Sequence, residues 1–555
     1  MNKAKTLRRK LGNPKGFLRV AWDTDNNPNL VSVNPNIVWS GINWKKVEKS
    51  VYKLQKLIYR ASSRGEISKM RKYQRLLTKS YYARLLAVRC VTQDNQGEKI
   101  LGVDGIKRLQ PMAKFKLVEI LKSHSLKGNS IRRVWIPNLG QDEKCLDIST
   151  YNRALQALVK LGMEPEWEAR FEPNSYGFRP GRSTHDAVEA IYISINHQPK
   201  YVLDVYISNK CFDQINHDAL LEKVGQSPYR KLVKQWLRSG VFKTNQFQNT
   251  AKGTPQAGII NALIANIALH GMEEYLNQFA DTWNGKKRNN RCSLALVRYA
   301  DRFVILHEDI EIVLQAKAAI EEWLTQIGLA LKPEKTRIVH TLEEYEGNKS
   351  GFDFLGFTIR QWEVKSTGLG IKTLIKPSEK EIKSHYRKLA EICDKMKTAP
   401  VRALIAKLNP IIRGWANYYS SVVSKEIFSK LDYLLRKRLW RWASRRHPNK
   451  NVRWVKDKYF KSVKSINNRN WIFSDGEYQL NLHSDVSIVR HIKVKGKKLP
   501  YDADWLYWES RIGKHPVPKV DVAKSLKSQK QKCAFCGLTF RPTDLMEIEH
   551  PLPEV

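Results

Sequence analysis

The spacing of apolar residues predicts that the N-terminal part of the chain is helical. From Trp44 onward, apolar side chains recur at helical intervals with lysine and arginine between them, at Val47, Val51, Leu54 and Ile58. Residues three or four apart share one face of a helix, so this spacing predicts an amphipathic helix with a basic outer face. A second basic amphipathic helix is predicted between Met70 and Val88.

Two short apolar runs predict a β-hairpin in the middle of the chain. The runs cover residues 293–298 and 303–306, and the tetrapeptide Tyr-Ala-Asp-Arg at 299–302 lies between them. Strands that are joined by a tight, acidic turn have this pattern. Strand-like segments alternate with helical ones as far as residue 362, which indicates an α+β sheet domain.

The pattern changes beyond Gly368. It is helical to about residue 460, with tryptophan and arginine interleaved, and a basic, turn-rich stretch follows at 493–498. At the other end of the chain, residues 1–40 are polar and rich in asparagine, and they are predicted to form an irregular lead-in.

The charge of the chain indicates a polyanionic partner. Among 555 residues, 97 are lysine or arginine and 54 are aspartate or glutamate, which gives a formal net charge of +43. The 16 tryptophans and an aromatic content of 10% exclude a disordered polycation. A folded protein with this excess of positive charge favours nucleic acid as its partner. The alternative is a basic surface that is only solvated, as in some ribosome-associated proteins.

Cysteine usage and hydropathy predict a cytoplasmic protein. The seven cysteines are scattered, and only Cys533 and Cys536 are close together. A sparse, odd set of cysteines argues for a reducing compartment without structural disulfides. The N-terminus is charged, no apolar segment of a signal peptide follows it, and no apolar run reaches the ~18 residues of a membrane span.

Several sequence motifs occur in one order along the chain. They are Val-Thr-Gln-Asp-Asn-Gln-Gly at 91–97, Arg-Val-Trp-Ile-Pro at 133–137, Ser-Tyr-Gly-Phe-Arg-Pro-Gly-Arg-Ser at 175–183, Gly-Thr-Pro-Gln at 253–256, Leu-Lys-Pro-Glu-Lys-Thr at 331–336, Phe-Leu-Gly-Phe at 354–357 and Leu-Asn-Pro-Ile-Ile-Arg-Gly-Trp-Ala-Asn-Tyr-Tyr at 408–419. With the Tyr-Ala-Asp turn, these motifs resemble a bacterial group II intron-encoded protein. Such a protein joins a reverse transcriptase to an RNA-splicing maturase, and the resemblance covers almost the whole chain from Asn43.

This resemblance implies an α+β, right-hand reverse-transcriptase fold. After an N-terminal lead-in at 1–43, fingers and a palm with an antiparallel sheet would occupy residues 44–365. An all-α maturase thumb, often called domain X, would follow at 366–460. Residues 461–527 would form a small basic DNA-binding region, and residues 528–555 resemble the start of an HNH endonuclease.

The resemblance also implies a function. A group II intron maturase binds its intron RNA and stabilises the splicing-active fold, while Mg²⁺ is bound mainly by the RNA. The ribonucleoprotein engages target DNA for reverse splicing, and an active polymerase supports retrohoming of the mobile element. RNA binding and DNA synthesis are therefore separate expectations that depend on different residues.

The polymerase site departs from the family pattern. The resemblance places metal-binding aspartates on an early strand and in the hairpin turn, where they hold two Mg²⁺ ions. The early-strand aspartate falls on Tyr206, or on Ile207 when the pattern is aligned from Phe212. Arg302 replaces the second aspartate of the turn, so Asp301 is the residual metal-site carboxylate.

The neighbouring residues do not restore this site. Asp204 lies two residues before Tyr206, roughly 6.5 Å along a strand, which is too far for it to replace the missing ligand. The resemblance assigns Phe212, Gln256 and Ala257 to the nucleotide pocket, and Ala257 stands where the family has glycine. The prediction is that polymerase activity is lost. The alternative is an active RNA-directed DNA polymerase in spite of the substitutions.

Basic and aromatic side chains are assigned to nucleic-acid binding. Aromatic rings stack on unpaired bases, and arginines neutralise phosphates. The residues assigned to RNA are Arg179, Arg182, Arg413, Trp415, Tyr418, Arg436, Arg438, Arg441, Arg445 and Arg446. The residues assigned to DNA are Lys493, Lys495, Lys497 and Lys498. For Trp415 and Tyr418 the alternative is a position in the helix core.

The C-terminal segment resembles the first half of an HNH nuclease. Cys533 and Cys536 form a Cys-x-x-Cys pair, and Glu549 and His550 follow. The second cysteine pair of such a fold is absent before the sequence ends at Val555. Two thiolates do not complete a tetrahedral zinc site, so we expect only weak metal binding and no DNA cleavage.

Overall fold

The computed structural model describes the chain in segments, which are residues 39–94, 109–122, 134–138, 141–146, 150–207, 215–238, 241–243, 246–248, 258–365, 368, 370–463, 469–502, 504, 507–508 and 511. Its first part is a layer of helices with one small hairpin. These elements are α1 Trp44–Ser63, α2 Ile67–Lys79, α3 Tyr81–Arg89, a π-helical turn Cys90–Asp94, α4 Pro111–Ile120, β1 Val134–Asn138, β2 Gln141–Leu146 and α5 Thr150–Glu168.

The apolar spacing correctly predicted α1, but it predicted one helix where the structure has the next two. Val47, Val51 and Ile58 are buried, and α1 packs against α2 and α5. The single helix that was predicted between Met70 and Val88 is two helices, α2 and α3. Ser80 separates them because its backbone is extended, with ψ at 128°. Serine favours such a position at a helix start over a helix interior.

The middle part of the chain alternates helices with strands. Its elements are α6 Thr184–Ile195, β3 Tyr201–Tyr206, α7 His217–Val224, α8 Arg230–Arg238, β4 Val241–Lys243, β5 Gln246–Gln248, α9 Asn261–Ala268, α10 Met272–Ala280, α11 Lys287–Ser293, β6 Ala295–Tyr299, β7 Arg302–His307, α12 Ile310–Gln326 and β8 Arg337–His340, with a short 3-10 helix Pro333–Lys335.

Four of these strands form the palm sheet. Its order is β6-β7-β3-β8, and every neighbouring pair is antiparallel. The predicted hairpin is confirmed as β6 and β7, and Ala300 in its turn has a positive φ of 58°. Successive residues of a strand face opposite sides. Leu203 and Val205 therefore join the core under α12, whereas Val202 faces a second core toward the thumb.

A second, three-stranded sheet leads from the palm to the thumb. Its strands are β9 Phe352–Phe354, β10 Phe357–Glu363 and β11 Ile371–Pro377, in the order β11-β10-β9. The sequence pattern predicted helix beyond Gly368, and this was wrong for β11. The segment pairs with β10 along its whole length, from Phe357 opposite Pro377 to Glu363 opposite Ile371.

The thumb is helical. Its elements are α13 Glu379–Lys395, α14 Val401–Tyr419, α15 Lys425–Arg446 and α16 Val452–Tyr459, followed by the hairpin β12 Phe460–Val463 and β13 Arg469–Phe473 and a 3-10 helix His483–Asp485. These helices share a core of their own, which includes Leu389, Leu404, Leu408, Leu435 and Leu439. No helix in the described part of the chain is both long enough and apolar enough to cross a membrane.

The described residues of 486–511, here called the C-terminal strap, pass back over the palm and the N-terminal helices. Trp508 is fully buried, and its ring lies so close to Gly181 that a Cβ on this glycine would come within 2.5 Å of the ring. The Tyr52 hydroxyl donates to the Pro500 carbonyl at 2.8 Å, and the Tyr501 hydroxyl donates to Glu164 at 3.0 Å. The strap therefore ties elements together that are distant in sequence.

Candidate palm site and nucleic-acid interface

The palm sheet brings the three predicted polymerase-site positions together. Antiparallel pairing of β3 with β7 places Tyr206 directly opposite Arg302. Asp301 is partly exposed in the hairpin turn, and its carbonyl accepts a hydrogen bond from the Ile207 amide at 2.9 Å. The Arg302 guanidinium lies 4.4 Å from the centre of the Tyr206 ring. An arginine-tyrosine stack therefore lies beside the one carboxylate that remains in the turn.

Asp204 is engaged by two arginines. Its side chain is 2% exposed, and its carboxylate accepts from Arg302 at 3.1 Å and from Arg337 at 3.1 Å. Arg302 also donates to the carbonyl of Asp353 and lies 4.9 Å from the ring of Phe354. Because both carboxylate oxygens have guanidinium partners, Asp204 is held as part of a structural ion cluster.

These residues do not fit a pair of Mg²⁺ ions. Magnesium requires several hard oxygen ligands about 2.1 Å away. The turn offers Asp301 as its one carboxylate, and Asp204 is already paired with arginines. Tyr206 is a neutral phenol, because burial raises its pKa although the charge of Arg302 acts to lower it. In the described part of the chain, no cluster of three or more His, Cys, Asp or Glu residues could hold a metal ion.

Some predicted site residues lie outside the described residues. These are the nucleotide-pocket positions Phe212, Gln256 and Ala257 and the cysteine pair Cys533 and Cys536. Their roles stay predictions.

Arg179 is a core residue, so its assignment to RNA was wrong. Both Arg179 and its partner Glu168 have side chains that are 1% exposed, and their ion pair measures 2.9 Å. The same guanidinium donates to the carbonyls of Glu172 and Ser175 at 2.6 and 2.7 Å. All three guanidinium nitrogens are therefore occupied by the protein itself.

Arg182 also points inward rather than toward solvent. Its guanidinium donates to the Pro173 carbonyl at 2.6 Å and lies 5.5 Å from the Tyr176 ring. Burial, together with the neighbouring charge of Arg179, lowers the pKa of Arg182 to about 10. Arg182 therefore stabilises the loop before α6, and its assignment to RNA was also wrong.

The two aromatic residues of α14 that were assigned to RNA are packing residues, in agreement with the alternative interpretation. Trp415 stacks on His385, with ring centres 4.5 Å apart and planes at 12°. The Tyr418 ring stacks on Phe357 at 5.6 Å, and its hydroxyl is 2.8 Å from that of Thr184. Trp415 therefore packs between helices of the thumb, whereas Tyr418 holds the thumb against β10 and α6. Arg413, on the same helix, is exposed and remains available to a partner.

The five arginines of α15 occupy two sides of the helix. At 100° per residue, Arg436 lies roughly 140–180° around the helix axis from Arg438, Arg441 and Arg445. The latter three line a cleft between α13 and α15, here called the thumb cleft, whereas Arg436 borders a different pocket. The sequence had grouped these arginines together, and only the helix geometry separates them.

The thumb cleft has more cations than counter-charges. Its volume is about 430 Å³, and its charged lining residues are Asp394, Lys397, Arg438, Arg441, Arg445 and Arg446. Arg438 pairs with Asp394, and Arg446 donates to the Ala399 carbonyl at 2.5 Å while it lies over Trp442. Lys397, Arg441 and Arg445 form no ion pair with any described residue. A cleft of this kind favours a phosphate-rich ligand.

Two of the four lysines assigned to DNA are not freely exposed. Lys498 is paired with Asp504, and Lys493 is partly buried beside the palm. Burial lowers the pKa of Lys493, and the nearby charge of Arg182 lowers it further. Lys495 and Lys497 are exposed, so they are the lysines of this group that a nucleic acid could reach.

Asp186 anchors the strap to α6. Its carboxylate accepts from Arg511 at 2.6 Å, from the Val494 amide at 2.9 Å and from His491 at 3.1 Å, and it forms the capping box of α6 with Ser183. Burial raises the pKa of Asp186, but these partners outweigh that effect and bring the pKa to about 2.

Asp186→Asn is expected to lower the free energy of unfolding by about 2 kcal/mol at neutral pH. Because the pKa in the folded state lies below the usual 3.8, the carboxylate stabilises the protein above about pH 4. That contribution is lost as the pH falls toward 2. Denaturant unfolding at pH 7 and pH 3 measures both effects.

The matched control is Asp309→Asn, at the exposed N-cap of α12, where asparagine caps equally well. If the two variants behave alike, Asp186 does not anchor the strap.

Sequence reasoning missed Arg337 and Trp471. Arg337 follows the Leu-Lys-Pro-Glu-Lys-Thr motif, and only the register that pairs it with Asp204 reveals its role. Trp471 is 39% exposed and has a positive φ of 68°, which no sequence pattern indicates.

Family models match three consecutive parts of the chain. Residues 39–121 match the N-terminal domain of reverse transcriptase, 146–359 match reverse transcriptase (RNA-dependent DNA polymerase), and 382–460 match the group II intron maturase-specific domain. The chain therefore has the domain composition of a group II intron reverse transcriptase/maturase. The predicted reverse-transcriptase fold class is confirmed.

The chain is also similar to individual proteins, two of which are named as a maturase-like and a group II intron-encoded protein. The chain is 27% identical over 304 residues to Protein YkfC of Escherichia coli, a match that covers 48% of the chain and 77% of YkfC. It is 25% identical to Maturase-like protein 1 of Euglena gracilis, over 68% of the chain and 76% of that protein. It is 30% identical to Group II intron-encoded protein LtrA of Lactococcus lactis, over 29% of the chain and 28% of LtrA.

Proposed function

We propose that this protein is a group II intron maturase that binds intron RNA and stabilises its splicing-active fold, without polymerase activity of its own. The observation that carries the proposal is the thumb cleft, which lies within the part of the chain that matches the maturase-specific domain. Three of its cations form no ion pair with a described residue and suit the phosphates of a folded RNA, namely Lys397, Arg441 and Arg445. The Mg²⁺ ions that splicing needs would be held by the RNA.

The palm supports the second half of the proposal. A reverse transcriptase needs carboxylates that are free to bind metal, and here Asp204 is paired with Arg302 and Arg337. The cluster links β3 to β7 and β8 through side chains alone, which supports a palm that serves as a scaffold for RNA binding. We further propose that Lys495 and Lys497, exposed on the strap, help the ribonucleoprotein engage target DNA.

Replacing Lys397, Arg441 and Arg445 together by glutamine is expected to weaken RNA binding. Three exposed charge contacts contribute about 2 kcal/mol in total, which corresponds to roughly 30-fold in Kd. The slope of log K against log salt is expected to flatten by roughly two units. With fewer phosphates neutralised by the protein, fewer counterions are released on binding. Filter binding of the RNA that co-purifies with the protein, at several salt concentrations, measures both quantities.

The matched control replaces Lys286, Lys287 and Arg288, three exposed cations at the start of α11, by glutamine. This variant carries the same change in net charge away from the cleft. If both variants lose the same affinity, the attraction is due to net charge and the thumb cleft is not the binding site.

A further inference from the structure

A second pocket lies on the other side of α15 from the thumb cleft. It has a volume of about 320 Å³ and is enclosed by α15, the β12–β13 hairpin and the segment that follows the hairpin. Its walls combine apolar side chains, such as Leu435, Leu439 and Phe473, with the exposed ring of Trp471. A volume of this size lies within the range of small-ligand pockets.

Trp471 has an unusual backbone at this pocket. Its φ of 68° is in the left-handed region, which bulky residues rarely adopt and which costs of order 1 kcal/mol or more. Trp440 and Phe460 hold the ring on one side, with ring centres 6.0 and 6.4 Å away. The ring nevertheless stays 39% exposed. Strain of this kind persists where the surroundings impose it, and it concentrates at ligand sites.

The border of the pocket is positively charged. Arg436 and Lys425 line it, and Lys456 lies 4.9 Å from the Trp471 ring. Among the described residues that line the pocket, the one acid is Asp432, whose carboxylate accepts from the His483 ring at 2.7 Å and from the Ser484 amide at 3.0 Å. The charge of Asp432 is therefore directed into the protein, and the open side of the pocket presents cations.

Tyr433 adds a second exposed ring at the same border. It is 46% exposed, and the ammonium of Lys437 and the guanidinium of Arg436 lie 4.6 and 5.6 Å from its centre. Exposed aromatic rings beside cations are the combination that binds single-stranded nucleic acid, because bases stack on the rings while cations neutralise phosphates.

We propose that this pocket binds one unstacked nucleobase of the partner RNA, with Trp471 as the stacking platform and Arg436 at the adjoining phosphate. The proposal rests on the proposed function, because it assumes an RNA partner. An apolar protein segment would fill the same volume, but it would not satisfy the cations at the border. The pocket adds a base contact to the phosphate contacts of the thumb cleft.

The test compares two labelled RNA hexamers that carry the same number of phosphates. One is a uridine hexamer, and the other contains abasic ribose at every position. We expect the full-length protein to bind the uridine hexamer about tenfold more tightly, as fluorescence anisotropy measures, since stacking on one aromatic ring gives this order of gain. Trp471→Ala should abolish this difference, while Trp471→Phe should keep most of it.

The control is Trp362→Ala, which removes another exposed tryptophan beside an arginine, on β10. It should retain the tenfold difference. If the wild type does not distinguish the two hexamers, or if Trp471→Ala still does, the pocket does not bind a base. If Trp471→Ala does not fold, Tyr433→Ala and Trp471→Phe provide the test instead. Trp471→Phe should keep most of the difference in affinity between the two hexamers, and Tyr433→Ala should reduce it. An undiminished difference in Tyr433→Ala would show that the exposed rings at this border do not bind a base.

The outcomes also separate this inference from the proposed function. The thumb-cleft variant should lose affinity for both hexamers and keep the ratio between them, whereas Trp471→Ala should change the ratio and keep the salt dependence. If the wild type binds RNA but has equal affinity for the two hexamers, the base-pocket proposal is overturned and the maturase proposal still stands. Failure of the wild type to bind either hexamer or its co-purifying RNA would overturn both.

Discussion

Primer extension on an RNA template is expected to yield no cDNA from this protein. Among the described residues of the palm hairpin and β3, Asp301 is the one carboxylate free to bind metal, where nucleotide addition needs several around two Mg²⁺ ions. Each ion contributes several kcal/mol to stabilisation of the transition state, so its loss slows synthesis by about 10⁴-fold or more. A radiolabelled primer extended with dNTPs and Mg²⁺ measures this, and a polymerase-competent reverse transcriptase on the same template is the positive control.

Reversal variants test the reason for this inactivity. Arg302→Asp alone should stay inactive, because Tyr206 still occupies the early-strand position and Asp204 loses one of its two arginines. The two alignments of the early-strand motif, on Tyr206 or on Ile207, differ by one residue, so the chain has one residue more than the family pattern between Tyr206 and Phe212. Tyr206→Asp with Arg302→Asp should therefore recover synthesis only if one residue between positions 206 and 212 is also deleted. Processive synthesis by the unmodified chain, or by Arg302→Asp alone, would show that a different carboxylate holds the metal and that the polymerase function survives.

Arg179→Met is expected to lower the free energy of unfolding by about 3–5 kcal/mol, because it leaves the charge of Glu168 buried without its partner. Both side chains are 1% exposed, so solvent cannot replace the lost guanidinium. The double variant Arg179→Met with Glu168→Gln should be less destabilised, since no lone charge remains. Denaturant unfolding followed by tryptophan fluorescence measures the change.

Arg413→Met is the matched control, because this exposed arginine should change stability by less than about 0.5 kcal/mol. An unchanged unfolding midpoint in Arg179→Met would mean that its guanidinium is not held by Glu168, and its original assignment to RNA would then return.

Much of the fold could be predicted from local patterns. Apolar residues at helical intervals located α1, and two apolar runs around an acidic turn located the β6–β7 hairpin. The prediction failed where local and tertiary preferences differ. Ser80 interrupts a continuous helical pattern, and β11 is a strand because its backbone pairs with β10 over its full length.

The candidate site was less accessible to sequence reasoning, because burial decides what a charged residue does. Arg179 and Arg413 have the same side chain, yet the first is enclosed with Glu168 and the second is exposed. Trp415 and Trp471 are both aromatic residues in a basic thumb. Trp415 is partly buried and stacks on His385, whereas Trp471 presents its ring at an open pocket.

The amino-acid sequence by itself determined the class of the protein, the position of the palm hairpin and the substitution of its acidic residues. These properties are local, because motif order, apolar period and residue type can be read along one chain. Only the tertiary structure decided that Arg302 and Arg337 neutralise Asp204, and that the arginines of α15 serve two separate surfaces. Those outcomes depend on strand register and helix rotation, which bring together residues that are distant in sequence and separate residues that are close.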